Sequence, residues 1–519
     1  MKISKIDYTD TGAFSSLVTD YLAQDPQLQP FYDRFSRLEN FKEQIAVKAS
    51  FPQEKREVLH QELTRQYASV DLHPEVKRNL ELLWQPNTFT VTTGHQLNVF
   101  TGPLYFVYKI ITAINTCRRL KAAYPEYDFV PVYWMATEDH DFEEISSFTL
   151  FGKRYEWETD QKGAVGRFST EGLDQVLEAL PERSPVFEEA YRNYRTLAEA
   201  TRFFTHALFG EYGLVSLDAD SPVLKRMLIP VIRKDLLEQL SHQKVEEVSE
   251  RLSRYYKPQV QSREINLFYL DENLRERIVL QDGRYRVLNT KVSFSREEIE
   301  KEVDQSPEKF SPNVILRPLY QEMILPNLAY VGGGAEVAYW FQLKALFAAY
   351  EVPFPILMLR NSALYIPKSQ ASRLQKLDLQ PTDIFQDLPA LRRQMAGLLN
   401  QEEVVLDQQR QVIGEVFGEL EKLAASVDPT LTKSVAAEGQ KTQNSLGILE
   451  KKINKAAENR HEQVYQQLTK VKEKLFPGGA LQERTDNLLT YQTNNPDFIH
   501  ELAKAFDPFD GKFTILEEE

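Results

Sequence analysis

Cys117 is the single cysteine in this chain of 519 residues. An internal disulfide needs two, so a disulfide framework is excluded, as is a zinc site with two or more thiolate ligands. Cys117 lies in an apolar-periodic stretch and reads as a packing residue. No run of 18 or more apolar residues occurs, which excludes a membrane-spanning helix. The first residues carry no apolar signal-peptide core, so the cytoplasm is the expected compartment. Positive charge is in deficit: 62 Lys and Arg stand against 76 Asp and Glu, a net charge of -14. An acidic surface repels phosphate backbones, so nucleic acid is not expected as a partner, nor is a membrane. What remains is ordinary globular usage, 42% hydrophobic and 27% charged, enough for about three domains at ~150 residues each.

Residues 1–85 carry helical spacing, as in Phe41, Ile45, Val47 and Ala49. From 86 to 370, short β-rich runs alternate with helical stretches. Residues 89–93 form a strand that stops at Gly94, and Pro103 opens a helix to about Lys121. Proline suits a first helical turn, where its missing N–H costs nothing. Residues 129–136 are a second strand. Residues 213–218 are a third, with a helix from Ser221. Residues 327–331 are a fourth, with a helix from Ala335, and 354–359 are a fifth. Strands separated by helices pair in parallel through crossovers. The spacing therefore predicts an α/β fold with a doubly wound parallel sheet, whose ligands bind beyond the carboxyl ends of the strands. Two stretches read as insertions: 151–212, mostly helical, and 265–310, where 268–270 and 285–287 flank Gln281, Asp282 and Gly283 as a hairpin.

Residues 381–476 read as long helices folded back at Asp428 and Pro429 into an antiparallel coiled coil. One stripe carries Val405, Val412, Val416, Leu420 and Leu423. The other carries Leu446, Leu449, Ile453, Ala456, Val464, Leu468, Val471 and Leu475, interrupted at Arg460. A hairpin that long leaves apolar surface for a second copy, so a homodimer is expected. Residues 477–519 return to the core.

Four constellations could carry chemistry. Gly94, His95 and Gln96, with Thr101 and Gly102, sit between a strand end and a helix start. Glycine lets a ligand approach the backbone, and His95 and Gln96 can donate to phosphate oxygens beside a helix N-terminus; a tight turn with a capping side chain is the plain alternative. Next come Glu138, Asp139, His140, Asp141, Glu143 and Glu144, directly after the second strand. An ammonium group, a ribose or a hydrated metal fits such a loop, and histidine suits proton transfer near neutral pH. Helix capping by acids is the alternative, chiefly for Glu143 and Glu144. No second histidine lies nearby at ligand spacing, so no protein-ligated metal is expected. The third is Gly332, Gly333 and Gly334 with Glu336. It matches neither a phosphate loop nor a dinucleotide fingerprint, but its backbone is open to a nucleotide and Glu336 could reach a ribose hydroxyl or an amine; a C-cap and N-cap pair is the plain alternative. The fourth is Arg317, with Arg360 and Asn361 after the fifth strand. Either arginine could neutralise phosphate or carboxylate; a surface salt bridge is the alternative for Arg360.

Residues 92–110 (TTGHQLNVFTGPLYFVYKI), 131–145 (PVYWMATEDHDFEEI), 311–343 (SPNVILRPLYQEMILPNLAYVGGGAEVAYWFQL) and 478–491 (GGALQERTDNLLTY) together resemble the bacillithiol-biosynthesis cysteine-adding enzymes. The resemblance implies a Rossmann-like core similar to class I aminoacyl-tRNA synthetases, with two insertions and a C-terminal helical coiled coil. It implies the last step of bacillithiol synthesis, in which the carboxyl group of cysteine is joined to the amine of glucosaminyl-malate. By that likeness the turn at Gly94 to Gln96 occupies the place of the synthetases' first nucleotide-binding signature, and Gly332 to Glu336 that of their later glycine-acid segment. No Lys-Met-Ser-Lys-Ser segment follows the fifth strand. Amide formation from a free carboxylate is uphill in water, so ATP with Mg is the expected activating cofactor, and no zinc is expected. On this reading His95, Asp139 and His140 are the catalytic candidates. Gly94, Gln96, Thr101, Gly102, Glu138, Asp141, Arg317, Gly332, Gly333, Glu336, Arg360 and Asn361 hold nucleotide or substrate. Two rivals stand beside it: a metal-assisted hydrolase or deacetylase built on residues 138–141, and a nonenzymatic synthetase-like scaffold carrying the coiled coil.

Overall fold

A computed structural model describes residues 1–398, 404–458 and 462–518. Five parallel strands form its central sheet: β1 (Thr88–His95), β2 (Asp128–Met135), β3 (Val215–Asp218), β4 (Asn327–Gly332) and β5 (Ile356–Leu359). Their spatial order is β3-β2-β1-β4-β5, the doubly wound order of dinucleotide-binding folds. Every residue of β1 is buried although four are threonine. The β-branch suits a pleated strand, and three of the four hydroxyls find acceptors inside the sheet. Thr90 and Thr92 donate to Asn327 Oδ1 at 3.1 and 2.8 Å, and Thr93 donates to the Val331 carbonyl at 2.8 Å.

The chain builds β1, β2 and β3 to one side, then returns to lay β4 on the other flank of β1. Such a reversal opens a crevice at the carboxyl ends of the two strands. β1 reaches that edge because it does not stop at Gly94. Gly94 pairs with Trp134 and His95 with Met135, so the ladder with β2 carries the strand two residues past the β-rich run. Glycine leaves space there that a side chain would crowd. A Cβ on Gly94 would lie 3.2 Å from the Tyr330 hydroxyl and 3.5 Å from an Arg317 nitrogen.

The next helix, α1 (Tyr105–Ala123), starts two residues after Pro103. Pro103 instead bridges to Asn487, and the Leu104 N–H donates to the Asp486 carbonyl at 2.9 Å. The helix is buried on nearly all sides from Phe106 to Cys117, Lys109 included.

Other elements depart from the sequence reading. Residues 1–85 are not helical throughout. Lys2–Ile6 is a strand that pairs antiparallel with Phe513–Glu517, itself parallel to Ala363–Ile366. Residues 267–312 form a five-stranded antiparallel sheet rather than one hairpin. The turn at 281–284 joins Leu274–Gln281 to Arg284–Val287, while Leu267–Asp271 pairs with the half-exposed, charge-rich front of Leu274–Gln281. The helical stretch after residue 150 is preceded by a hairpin of Ser147–Leu150 and Lys153–Glu156.

In the C-terminal part, Asp407–Val427 and Thr432–Glu458 run antiparallel. Arg410 reaches Glu450 at 2.6 Å, and Gln443 donates to the Arg410 carbonyl at 2.8 Å. The chain is helical again over Glu462–Leu475. The second apolar stripe divides: Leu468, Val471 and Leu475 join the main core, whereas Leu449 and Ile453 stay exposed, as do Val405, Val412, Val416, Leu420 and Leu423. Arg460 lies outside the described residues.

Candidate active site

A cleft of about 660 Å³ opens at the carboxyl edge of β1, β2 and β4, within the size range of small-molecule sites. Gly94 and His95 end β1 on its floor, Trp134 and Met135 end β2, and Tyr330 comes from β4. The loop 136–140 and Gln96 form one wall. The inserted sheet adds Phe268, Arg275 and Pro312 to the lining, against the 136–140 loop.

At the switch point Glu336 and Lys109 form a buried ion pair. Glu336 stands in the first turn of α2 (Gly334–Trp340) and accepts the Gly333 N–H at 2.8 Å and the Tyr330 hydroxyl at 2.6 Å. Lys109 also donates to the Gly94 carbonyl at 2.8 Å. Burial works against the Glu336 charge, but Lys109, Tyr330 and the Gly333 N–H outweigh it and hold the carboxyl below its usual range. Arg317 is partly buried, lies over the Trp134 and Tyr330 rings, and donates to Gln321 at 3.1 Å.

The acidic loop is organised by a cation that comes from elsewhere. Arg275 stacks on Phe268, 4.0 Å from the ring centroid, and donates to His140 Nδ1 at 2.6 Å. A guanidinium has no acceptor, so Nδ1 must accept and the imidazole proton sits on Nε2. His140, expected as an acid or base, is thereby set as a hydrogen-bond donor. Asp139 lies 3.5 Å from both Arg275 and His140, and accepts Gln96 at 3.3 Å and the His140 N–H at 2.8 Å. Burial disfavours its charge, yet His140 and Arg275 outweigh that and keep the carboxyl well below the ordinary range. Glu138 is ion-paired to the fully buried Lys225, which also donates to the Phe310 carbonyl at 2.8 Å. Burial pushes its carboxyl up to about 7, Lys225 opposing and Asp220 reinforcing the shift. His95 is enclosed by the Tyr105 and Phe106 rings. Burial, then the charges of Lys109 and Arg360, hold it neutral, well below the usual histidine value.

Thus Gly94, His95, Gln96, Glu138, Asp139, His140, Arg317 and Glu336 share one cleft. The other candidates do not line it. Gly102 and the Phe100 carbonyl are pinned by Asn487, at 2.7 and 2.6 Å, and Thr101 is buried beside them. Asp141 caps the helix Phe142–Ile145. Gly332 completes β4, and Gly333 is the N-cap of α2. Arg360 is buried against Glu483 at 2.6 Å, a core ion pair rather than a surface one, and Asn361 bonds Thr112 and the Asp507 carbonyl. Sequence reasoning missed Lys109, Lys225 and Arg275. Lys109 had a signal, a cation set within the apolar and aromatic first half of its helix, well before Arg118, Arg119 and Lys121; Arg275 had none. Cys117 is buried, and burial pushes its thiol up, as fits a packing residue. Among the described residues, no group of three or more His, Cys, Asp or Glu is arranged to hold a metal ion, and no helix is long and apolar enough to cross a membrane.

The model of the bacillithiol-biosynthesis BshC N-terminal Rossmann-like domain matches residues 1–361, and that of the BshC C-terminal coiled-coil domain matches residues 363–518. The chain belongs to the BshC family of bacillithiol biosynthesis. The relatives named here match it over most of their length. A BshC protein of Flavobacterium johnsoniae, named "Putative cysteine ligase BshC", is 43% identical over 98% of this chain and 99% of its own. The same name is borne by a BshC protein of Cytophaga hutchinsonii, 41% identical over 98% and 97%, and by one of Chlorobaculum tepidum, 29% identical over 89% of each. A solved Campylobacter jejuni chain titled as an arginyl-tRNA synthetase aligns with 83% of this chain at 11% identity and a TM-score of 0.23, a likeness that carries no argument. The strand order and the BshC match establish the Rossmann-like fold by themselves.

Proposed function

We propose that this protein joins the carboxyl group of cysteine to the amine of glucosaminyl-malate, with ATP and Mg activating the carboxyl group. Family membership supports the reaction. The observation that carries it to these residues is the cleft, where an ionised Asp139, a donor His140 and two arginines converge on the strand switch point. Asp139 holds an ammonium group. Arg275 and Arg317 face carboxylate or phosphate oxygens, and the Cβ-free Gly94 lets a ligand lie close to the backbone. Charges fixed by burial and hydrogen bonds need no rearrangement as charge develops in the reaction. The exposed apolar residues of the helical arm within 381–476, among them Val412, Val416, Leu423 and Ile453, support a homodimer through that arm. The same reading places the protein in the cytoplasm and divides the chain at 85, 370, 381 and 476.

Purified protein incubated with ATP, Mg, cysteine and glucosaminyl-malate should yield bacillithiol and consume one ATP per amide. A complete mixture that yields no amide overturns the reading. A deletion strain should accumulate glucosaminyl-malate and lack bacillithiol.

A further inference from the structure

An amino sugar presents its nitrogen as an ammonium group, which must lose a proton before it can attack a carboxyl carbon. We propose that Glu138 is the general base that takes this proton, an assignment that rests on the ligase reading above.

Geometry eliminates most rivals in the cleft. His140 Nδ1 is occupied by Arg275. Asp139 spends Oδ1 on the His140 N–H and Arg275 and Oδ2 on Gln96. Glu336 spends Oε1 on Tyr330 and Oε2 on Gly333 and Lys109. The Nε2 of His95 has no partner among the described residues, but the cations of Lys109 and Arg360 bear on the ring and oppose protonation. Glu144 is exposed and makes no ion pair among the described residues, so it lacks an anchor, although Lys109 bears on its charge. Glu138 differs from all of these. It is buried at the cleft wall; Oε1 meets Lys225, and Oε2 accepts no hydrogen bond from the described residues. One oxygen is anchored and the other is open.

The charged and titratable groups that bear on it come from five segments: Lys225 on Pro222–Lys225, Asp220 after β3, Arg275 on Leu274–Gln281, Tyr320 on Arg317–Ile324, and Arg167 on Val165–Arg167, which is itself paired with Asp220 at 2.7 Å. Burial and Asp220 favour the protonated acid, while Lys225 and Arg275 favour the carboxylate. That balance sets a base matched to neutral pH.

The step balances as follows. The ammonium group passes one proton to Glu138 Oε2. The neutral amine attacks the carbonyl carbon of a cysteinyl mixed anhydride with phosphate or adenylate. The C–N bond forms, the C–O bond to the leaving phosphoryl oxygen breaks, and that oxygen keeps the electron pair. The second nitrogen proton goes to water, leaving the amide.

The test compares two acceptors on the full-length protein with ATP, Mg and cysteine. Glucosaminyl-malate arrives protonated and needs a base; hydroxylamine arrives neutral and does not. E138Q should lower kcat for the amide on the order of 10²-fold or more, remove the rise of kcat with pH near neutrality, and form cysteine hydroxamate at the wild-type rate. E138D, which keeps a displaced carboxylate, should recover part of the amide rate. Full amide formation by E138Q overturns the assignment, as does an equal loss of amide and hydroxamate in both variants. If the same selective loss appears in Glu144→Gln and not in E138Q, Glu144 is the base instead. A wild type that makes neither product overturns the ligase reading, and this assignment with it.

Discussion

Replacing Lys109 by methionine tests whether the buried pair with Glu336 locks the switch point. The side chain is 4% exposed, and its ammonium group ties together three segments: the end of β1 through the Gly94 carbonyl, α1 on which it sits, and the glycine loop through Glu336. Methionine matches the side chain in length and apolar volume, so packing changes little. Glu336 keeps Tyr330 and the Gly333 N–H but loses its counter-charge. Breaking one half of a buried pair costs about 3–5 kcal/mol. Glu336 is 23% exposed on its side chain, so water offsets part of this; the unpaired Gly94 carbonyl adds about 1 kcal/mol or more. A net loss near 4 kcal/mol, spread over the 361 residues of the Rossmann-like domain, lowers the melting temperature by about 5 °C. K109M/E336Q removes both charges and should recover more than half of that loss. Circular-dichroism melts near neutral pH of the wild type, both single variants and the double variant close the cycle. A K109M protein that melts with the wild type, or a double variant less stable than K109M, would refute the reasoning.

Asp139→Asn should cut ligation on the order of 10²-fold while the protein stays folded. Asp139 is held below its unfolded value, so its stabilisation is present above the unfolded carboxyl pKa and lost as pH falls; the stability gap between wild type and D139N should close in acid, and a gap that does not vary with pH contradicts the pairing with Arg275. His140→Ala should abolish complementation of a deletion strain without moving the melt, and full complementation would remove the residue from the site. Gly166→Ala should spoil activity without unfolding the chain, because its Cβ would lie 2.8 Å from the Thr137 carbonyl and displace the acidic loop; wild-type turnover counts against that loop. Gly333→Val should weaken nucleotide binding in calorimetry with the fold kept, since a Cβ there meets Glu336 at an ordinary 3.4 Å; unchanged binding makes the loop a helix cap alone. Light scattering should give about twice the 60.2 kDa chain mass. Replacing 404–458 by a short Gly-Ser bridge should give a monomer and spares Leu468, Val471 and Leu475, which the core needs; a truncated dimer places the interface elsewhere.

The five core strands were legible because each is a short run rich in apolar or β-branched residues, bounded by glycine, proline or a helical stretch. Their ends were not. Gly94 and His95 belong to β1 because β2 continues beside them to Met135, and no local preference of a Gly-His pair could announce that. The strand Lys2–Ile6 was invisible for a related reason: its partner, Phe513–Glu517, stands at the other end of the chain. The acidic loop and the glycine loop announced themselves by composition and position after strands. What they do was decided by residues far away in sequence. Arg275 reaches His140 across a separation of 135 residues and turns the most obvious acid–base candidate into a donor. Asn487 reaches back to the turn before α1 and takes it from ligand binding into the scaffold. Glu138 was read only as one more acid in a cluster, because the features that distinguish it, a buried Lys225 on one oxygen and, among the described residues, no donor on the other, are created when the 222–225 helix packs against the loop. Composition can find the chemical groups of such a site. Which of them is free to move a proton is settled only by the partners that long-range packing supplies.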